Sequence, residues 1–193
     1  MIKPVDILMV GVGGQGTVLA SKVLAQAACG AGYDIKVSEI HGMAQRGGSV
    51  VTQVRLGEKV YSPLIAEGGA DIVLAFEKLE GLRFLRFLRP GGTMIVNDQE
   101  IPPVPVLAGA AEYPAGIVDY IRRAVPSAVV VDALGLALEC GSARAANVVL
   151  LGVLARRLPI AREIWEEALA GRVPARFLEA NRAAFRAGYG YNG

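Results

Sequence analysis

A chain of 193 residues, 53% of them hydrophobic and with a mean hydropathy of +0.41, has enough apolar material for one well-filled core and lacks the polar bias of a disordered chain. Its formal net charge of +2 leaves no basic stripe of the kind that wraps nucleic acid. The longest apolar stretches, such as Val148 to Ala155, fall well short of the ~20 residues that cross a bilayer. No signal-peptide pattern follows Met1 to Asp6, so a soluble cytoplasmic protein is expected. Two distant cysteines, Cys29 and Cys140, and one histidine, His41, cannot supply the roughly four ligands of an iron–sulfur cluster or a zinc site.

In chain order, Val5 to Val10 is a continuous apolar run, as expected of a strand buried on both faces. Gln15 to Ala31 reads as a helix ended by glycines, and Ile35 to Ile40 and Ser49 to Leu56 read as strands. Gly57-Glu58-Lys59 turns the chain, and Val60-Tyr61 is placed to return as a hairpin. Asp71 to Phe76 is a strand and Lys78 to Leu88 a helix, broken by Pro90-Gly91-Gly92 before a strand over Thr93 to Asn97. Ile101 to Pro105 is a proline-rich connection, Ala115 to Val125 a helix and Ala128 to Val131 a last short strand. Four helices follow: Leu134 to Cys140, Ala143 to Arg157, Ile160 to Ala170 and Ala175 to Ala187.

The alternation implies an α/β, Rossmann-like fold, a mostly parallel sheet flanked by helices. One domain over 1–193 is expected, with the sheet in 1–133 and a helical tail, 134–193, packed on it.

Gly11, Gly13 and Gly16 stand in the spacing G-x-G-x-x-G between the first strand and the first helix, with Gly14 and Gln15 between them. Glycines allow close backbone approach, and the helix start offers free N–H groups, so an anion is welcome there. The Lys-Ser/Thr ending of a P-loop is missing. Three uses stay open on these residues: NAD(P) binding in a small reductase, with Glu39 as the ribose-binding acid; a nucleotide- or acyl-CoA-binding module; or a structural turn. The second loop, "EIHGMAQRGGSVVTQVR" over 39–55, brings His41, Arg46, Gly47, Gly48 and Ser49. Arg46 is suited to a carboxylate or phosphate, or to a salt bridge; His41 is the one candidate for acid–base chemistry. Glu77 closes its strand at the edge where α/β sheets bind ligands, or serves as a solvated carboxylate at a helix start.

"GVGGQG" followed about 30 residues later by "HGMAQRGGSV" resembles the gamma-type domain of the 2-oxoacid:ferredoxin oxidoreductases. The form "SEIHGMAQRGGSV" is most similar to the small (beta) subunit of the indolepyruvate branch. "ADIVLAFEKLEGLR", "ARAANVVLLGVLAR" with Asn147, and "NRAAFRAGY" with Asn181, Phe185 and Gly188 extend the likeness over essentially the whole chain. The resemblance implies a cofactor-poor subunit of an enzyme that oxidatively decarboxylates a 2-oxoacid to an acyl-CoA and reduces ferredoxin. It places thiamine diphosphate and [4Fe-4S] clusters on a large (alpha) partner subunit and expects coenzyme A in the complex, with no metal on this chain. It further implies that Gly11, Gly13, Gly14, Gln15 and Gly16 form an anion-welcoming loop. On the same footing, Gln15 points its amide into that loop, and His41, Arg46, Gly47, Gly48 and Ser49 line a facing loop. Uncovered partner-facing surface would favour self-association of the isolated chain.

Overall fold

The computed structural model describes residues 3–42 and 47–192. Among these, six strands form one sheet: β1 (Val5–Val12), β2 (Asp34–His41), β3 (Ser49–Gly57), β4 (Ala70–Ala75), β5 (Leu88–Asn97) and β6 (Val129–Val131), in the order β2-β3-β1-β4-β5-β6. β1, β4, β5 and β6 pair in parallel, whereas β3 lies antiparallel between β1 and β2. The sheet is therefore mixed: five strands point one way and β3 alone runs back. A hairpin has been wedged into an otherwise parallel array. β1, between β3 and β4, is buried over Ile7–Val12, as its unbroken apolar run requires.

Helices cover both faces. One face packs Ile7, Met9, Ile72, Leu74 and Ile95 against α1 (Thr17–Gly30), α5 (Ala133–Glu139), α6 (Ala146–Ala155), α7 (Arg162–Ala170) and α8 (Ala175–Tyr189). The other packs Leu8, Val10, Val73, Met94 and Val96 against α2 (Lys78–Arg83) and α4 (Ile117–Ala124). The tail thus shares its core with the sheet. α6 is buried from Asn147 to Ala155, which explains why its sequence is apolar on every side. No helix among the described residues is long and apolar enough to cross a membrane.

Three local expectations are corrected. Val60-Tyr61 forms no strand; β3 finds its hairpin partner upstream in β2, and Tyr61 is exposed. The helix expected to reach Leu88 stops at Arg83, and a 3-10 turn over Leu85–Phe87 follows. Pro90-Gly91-Gly92 does not precede β5 but lies inside it: the register jumps from Ala70↔Leu88 to Ile72↔Thr93, and the bulge takes up the proline and Gly91 at φ +73°. In the proline-rich connection a four-residue helix, α3 (Val104–Leu107), follows Pro103.

The tail is fastened by a glycine seam. A Cβ on Gly188 of α8 would stand 1.9 Å from the Val149 carbonyl oxygen of α6, and one on Gly152 would stand 2.2 Å from the Phe185 carbonyl oxygen. Only bare backbone lets the two helices approach so closely. Beside the seam, Trp165 and Phe185 are fully buried with ring centroids 6.2 Å apart. On the surface, Arg186 donates two hydrogen bonds to Glu166, at 3.0 and 2.9 Å.

Gly188→Ala should lose about 3 kcal/mol or more in urea unfolding, because neither backbone can yield. Gly190→Ala, with no Cβ neighbour nearer than 3.4 Å, should stay within about 0.5 kcal/mol of wild type. The hydrogen bonds from Arg186 hold the Glu166 carboxyl below its ordinary value of 4.5. A carboxyl depressed in the folded state stabilises above its unfolded pKa and loses that stabilisation as pH falls through the folded pKa. Glu166→Gln should therefore lower Tm at pH 7, and thermal melts should show the gap closing below about pH 4.

Candidate functional site

After β1 the chain makes a tight turn in which the Gln15 N–H donates to the Val12 carbonyl at 3.2 Å. Gly14 at φ +101° and Gly16 at φ +77° take conformations that side chains rarely adopt. Gly16 caps α1 without a side-chain partner, and α1 has no acidic residue in its first turn. The free N–H groups and positive end of α1 are thus left to whatever approaches. On the far wall, Asn147 Nδ2 donates to the Gly16 carbonyl at 3.1 Å; a Cβ on Gly16 would meet that nitrogen at 2.4 Å. Asn147 is 6% exposed, and its Oδ1 has no partner among the described residues.

Between these walls lies a cleft of about 480 Å³. It opens where β1, β4 and β5 end and where the sheet's connections diverge to either side, the place at which open α/β sheets take ligands. Gly13, Gly14, Gln15, Asn97, Gln99, Arg144 and Asn147 line it with Phe76, Ile101, Leu134 and Leu150, and no carboxylate contributes. Its floor is a chain of carboxamides. Gln15 Oε1 accepts from the Val12 N–H at 2.8 Å, and Gln15 Nε2 donates to the Phe76 carbonyl at 2.7 Å and to Gln99 Oε1 at 3.1 Å. Asn97 Nδ2 donates to the same carbonyl and the same Gln99 oxygen, both at 3.0 Å, while Asn97 Oδ1 accepts from the Ala133 N–H. Gln15 therefore spends its amide on the floor and braces the glycine loop. Gly11 makes this possible, since a Cβ there would lie 2.9 Å from Gln15 Oε1.

The second loop meets the first through main chain: the Gly13 N–H donates to the Gly48 carbonyl at 2.9 Å, and Ser49 sits opposite Val12 in register. Ser49 Oγ donates to the buried Glu80, which also pairs with Arg83 at 2.8 Å. His41 is placed apart, on the edge strand β2, with Nε2 3.7 Å from Glu39 Oε2. None of His41, Gly47, Gly48 and Ser49 lines the cleft. Arg46 lies outside the described residues. Glu77 is 1% exposed: its Oε2 caps α2 by accepting from the Glu80 N–H at 2.8 Å, and its Oε1 accepts from the Tyr113 hydroxyl. It is neither solvated nor part of the cleft lining. Burial, reinforced by the Glu77 carboxylate, pushes the Tyr113 hydroxyl above its ordinary pKa.

Two cofactor readings can be tested on this geometry. For a dinucleotide, the acid after the second strand must stand beside the glycine loop. Here β3 separates β2 from β1 by two strand spacings, roughly 10 Å, and Glu39 instead accepts from Ser21 Oγ at 2.7 Å. For an iron–sulfur cluster, Cys29 at the end of α1 and Cys140 after α5 make half a ligand set. The described residues also hold no cluster of three or more His, Cys, Asp and Glu side chains fit for a metal ion. Neither group fits the residues present.

Sequence reasoning missed Phe76, Asn97, Gln99 and Arg144. A polar Asn97 ending an apolar strand was a readable signal; Gln99 and Arg144 carried none, because only folding brings them to the glycine loop.

The pyruvate ferredoxin/flavodoxin oxidoreductase family model matches residues 6–191. The indolepyruvate oxidoreductase subunit IorB of Thermococcus kodakarensis is 40% identical, covering 97% of this chain and 95% of its own length. That of Archaeoglobus fulgidus is 41% identical over 95% and 93%. Among solved structures, the gamma subunit of a keto/oxoacid ferredoxin oxidoreductase from Geobacter sulfurreducens is 26% identical, with a TM-score of 0.70 and 96% of each chain covered. A 2-oxoglutarate:ferredoxin oxidoreductase chain from Magnetococcus marinus, at 22% identity and TM-score 0.71, shares the fold over 30% of its length. The chain belongs to the pyruvate ferredoxin/flavodoxin oxidoreductase family, among its small, gamma-type subunits.

Proposed function

We propose that this chain is the small subunit of an indolepyruvate-type 2-oxoacid:ferredoxin oxidoreductase. The observation that carries the reading is the 40% identity to an indolepyruvate oxidoreductase subunit over nearly the full length of both chains. All 193 residues serve as one gamma-type domain, and a large subunit docks on it. That subunit brings the thiamine diphosphate and [4Fe-4S] clusters, which supply decarboxylation and electron transfer. In the overall reaction the carboxylate of the oxoacid leaves as carbon dioxide, the acyl group joins the sulfur of coenzyme A, and two electrons pass to ferredoxin.

The part given to this chain is binding and positioning. The loop Gly13-Gly14-Gln15-Gly16, given room by Gly11 and braced by Gln15, presents to an anionic group the main-chain N–H groups not already spent on Val12 and Gly48, together with those that open α1. Arg144 adds a cation from the opposite wall. Phosphates of coenzyme A and the carboxylate of the oxoacid both fit this set of donors. Gly47, Gly48 and Ser49 border the loop on the side where a large partner closes over it. Glu77 fixes α2 beneath that region without touching the ligand.

Co-expression with a large thiamine- and cluster-binding subunit from the same genome, followed by tagged isolation, tests the reading. Indolepyruvate- and coenzyme-A-dependent reduction of a viologen dye is expected from the complex and from neither chain alone. A chain that brings down no such partner and reduces substrates with NAD(P)H would sink it. In the active complex, His41→Ala should lose far less than the ~100-fold that follows removal of a general acid or base. Steady-state kcat measures that.

A further inference from the structure

Gln99 is the residue of the cleft whose orientation is settled and whose purpose the fold does not absorb. Its Oε1 takes two N–H donors, from Gln15 Nε2 at 3.1 Å and Asn97 Nδ2 at 3.0 Å. An amide nitrogen in that place would face two donors with no acceptor, so the carboxamide cannot be flipped. Asn97 is itself pinned, by the Phe76 carbonyl on one side and the Ala133 N–H on the other. Gln15 is pinned by the Val12 N–H and the Phe76 carbonyl. The acceptor end of Gln99 is thus locked into the floor. Its Nε2 has no acceptor among the described residues, although the half-buried side chain lines the cleft.

The backbone is held as well. The Gln99 carbonyl accepts from the Lys78 N–H at 3.2 Å, and the Gln99 N–H donates to the Asn97 carbonyl at 2.8 Å. Main chain and side chain leave one polar feature unspent, a pair of amide hydrogens on a fixed support. Of the other polar side chains in the lining, the Arg144 guanidinium is a donor, and the unpartnered Oδ1 of Asn147 is buried. A carboxylate is missing from the lining. A site of aligned, preorganised donors suits a group that is rich in acceptors and negatively charged.

The geometry points to Gln99 as a ligand-binding residue that determines specificity for anions: its Nε2 donates to a phosphate ester or a carboxylate held between the glycine loop and Arg144. The proposal rests on the subunit reading only for the names of the two candidate ligands, coenzyme A and the 2-oxoacid.

Gln99→Glu is the informative variant. It keeps the oxygen that accepts from Gln15 and Asn97 and replaces only the outward –NH2 with a charged oxygen. In the assembled enzyme the variant should keep the Tm of the wild type. It should raise the KM of one substrate tenfold or more, as expected when a charge-assisted hydrogen bond becomes a repulsion. A rise for coenzyme A alone assigns the phosphate; a rise for the oxoacid alone assigns the carboxylate. Unchanged KM values at unchanged Tm would overturn the proposal.

A second measurement needs no folded variant and no partner. The full 15N-labelled chain is titrated with inorganic pyrophosphate and, separately, with pyruvate. The Gln99 side-chain amide pair, assigned by selective labelling, should shift with one probe together with the Gly14 backbone amide. Failure of both probes to move that pair would overturn the proposal. If the wild-type complex reduces no dye, the subunit reading falls and this titration still decides the role of Gln99.

Discussion

The pairing of β3 with β1 is the constraint on which the site depends. Eight consecutive residues of β1, Val5 to Val12, face Leu56 to Ser49 in antiparallel register. A one-residue slip would turn every buried side chain of either strand to the opposite face, so the register is held by the whole core. The last pair of that ladder sets Ser49 opposite Val12 and brings the turn before β3 against the glycine loop after β1. Two segments about thirty residues apart thereby become neighbours at the carboxyl edge of the sheet. The same insertion moves β2 outward, and with it Glu39 and His41. A single topological choice therefore builds one junction and removes another, that of a dinucleotide-binding fold.

Upon this frame the cleft is organised by amides rather than charges. Asn97 and Gln15 gather the connections that leave β1, β4, β5 and β6 through Val12, Phe76, Gln99 and Ala133. Each link is a neutral hydrogen bond worth roughly 1 kcal/mol net, but in a partly dry floor the cost of breaking one falls on a buried, unpaired group. The arrangement is stiff and carries no net charge of its own. The charged side chain of the lining is then Arg144, with no carboxylate beside it among the lining residues.

Much of the fold was legible because its signals are local. The apolar run of β1, the glycines that follow it and the four tail helices are written in contiguous stretches. The boundaries that failed are those set by distant contacts. The proline and glycines at 90–92 read as a break, and only pairing with β4 turns them into a bulge. The site was half legible. The glycine loop announced itself by spacing, and the second loop by resemblance. Gln99 and Arg144 are ordinary polar residues whose meaning comes from meeting the loop across the sheet edge. Glu77 illustrates the opposite error: its position at a strand end suggested a ligand contact, yet its carboxylate is consumed by a helix cap and a tyrosine.

The joint between the two loops runs from the Gly13 N–H to the Gly48 carbonyl, both main-chain atoms. A joint of this kind is indifferent to side-chain identity, and among single substitutions only proline at 13 would delete its donor. What the surrounding positions must preserve is room and backbone freedom, not chemistry. Drift at these loops is therefore policed by steric size: a methyl group at Gly11 or Gly16 would strike Gln15 or Asn147, while the bond itself is indifferent to every side chain but proline at 13.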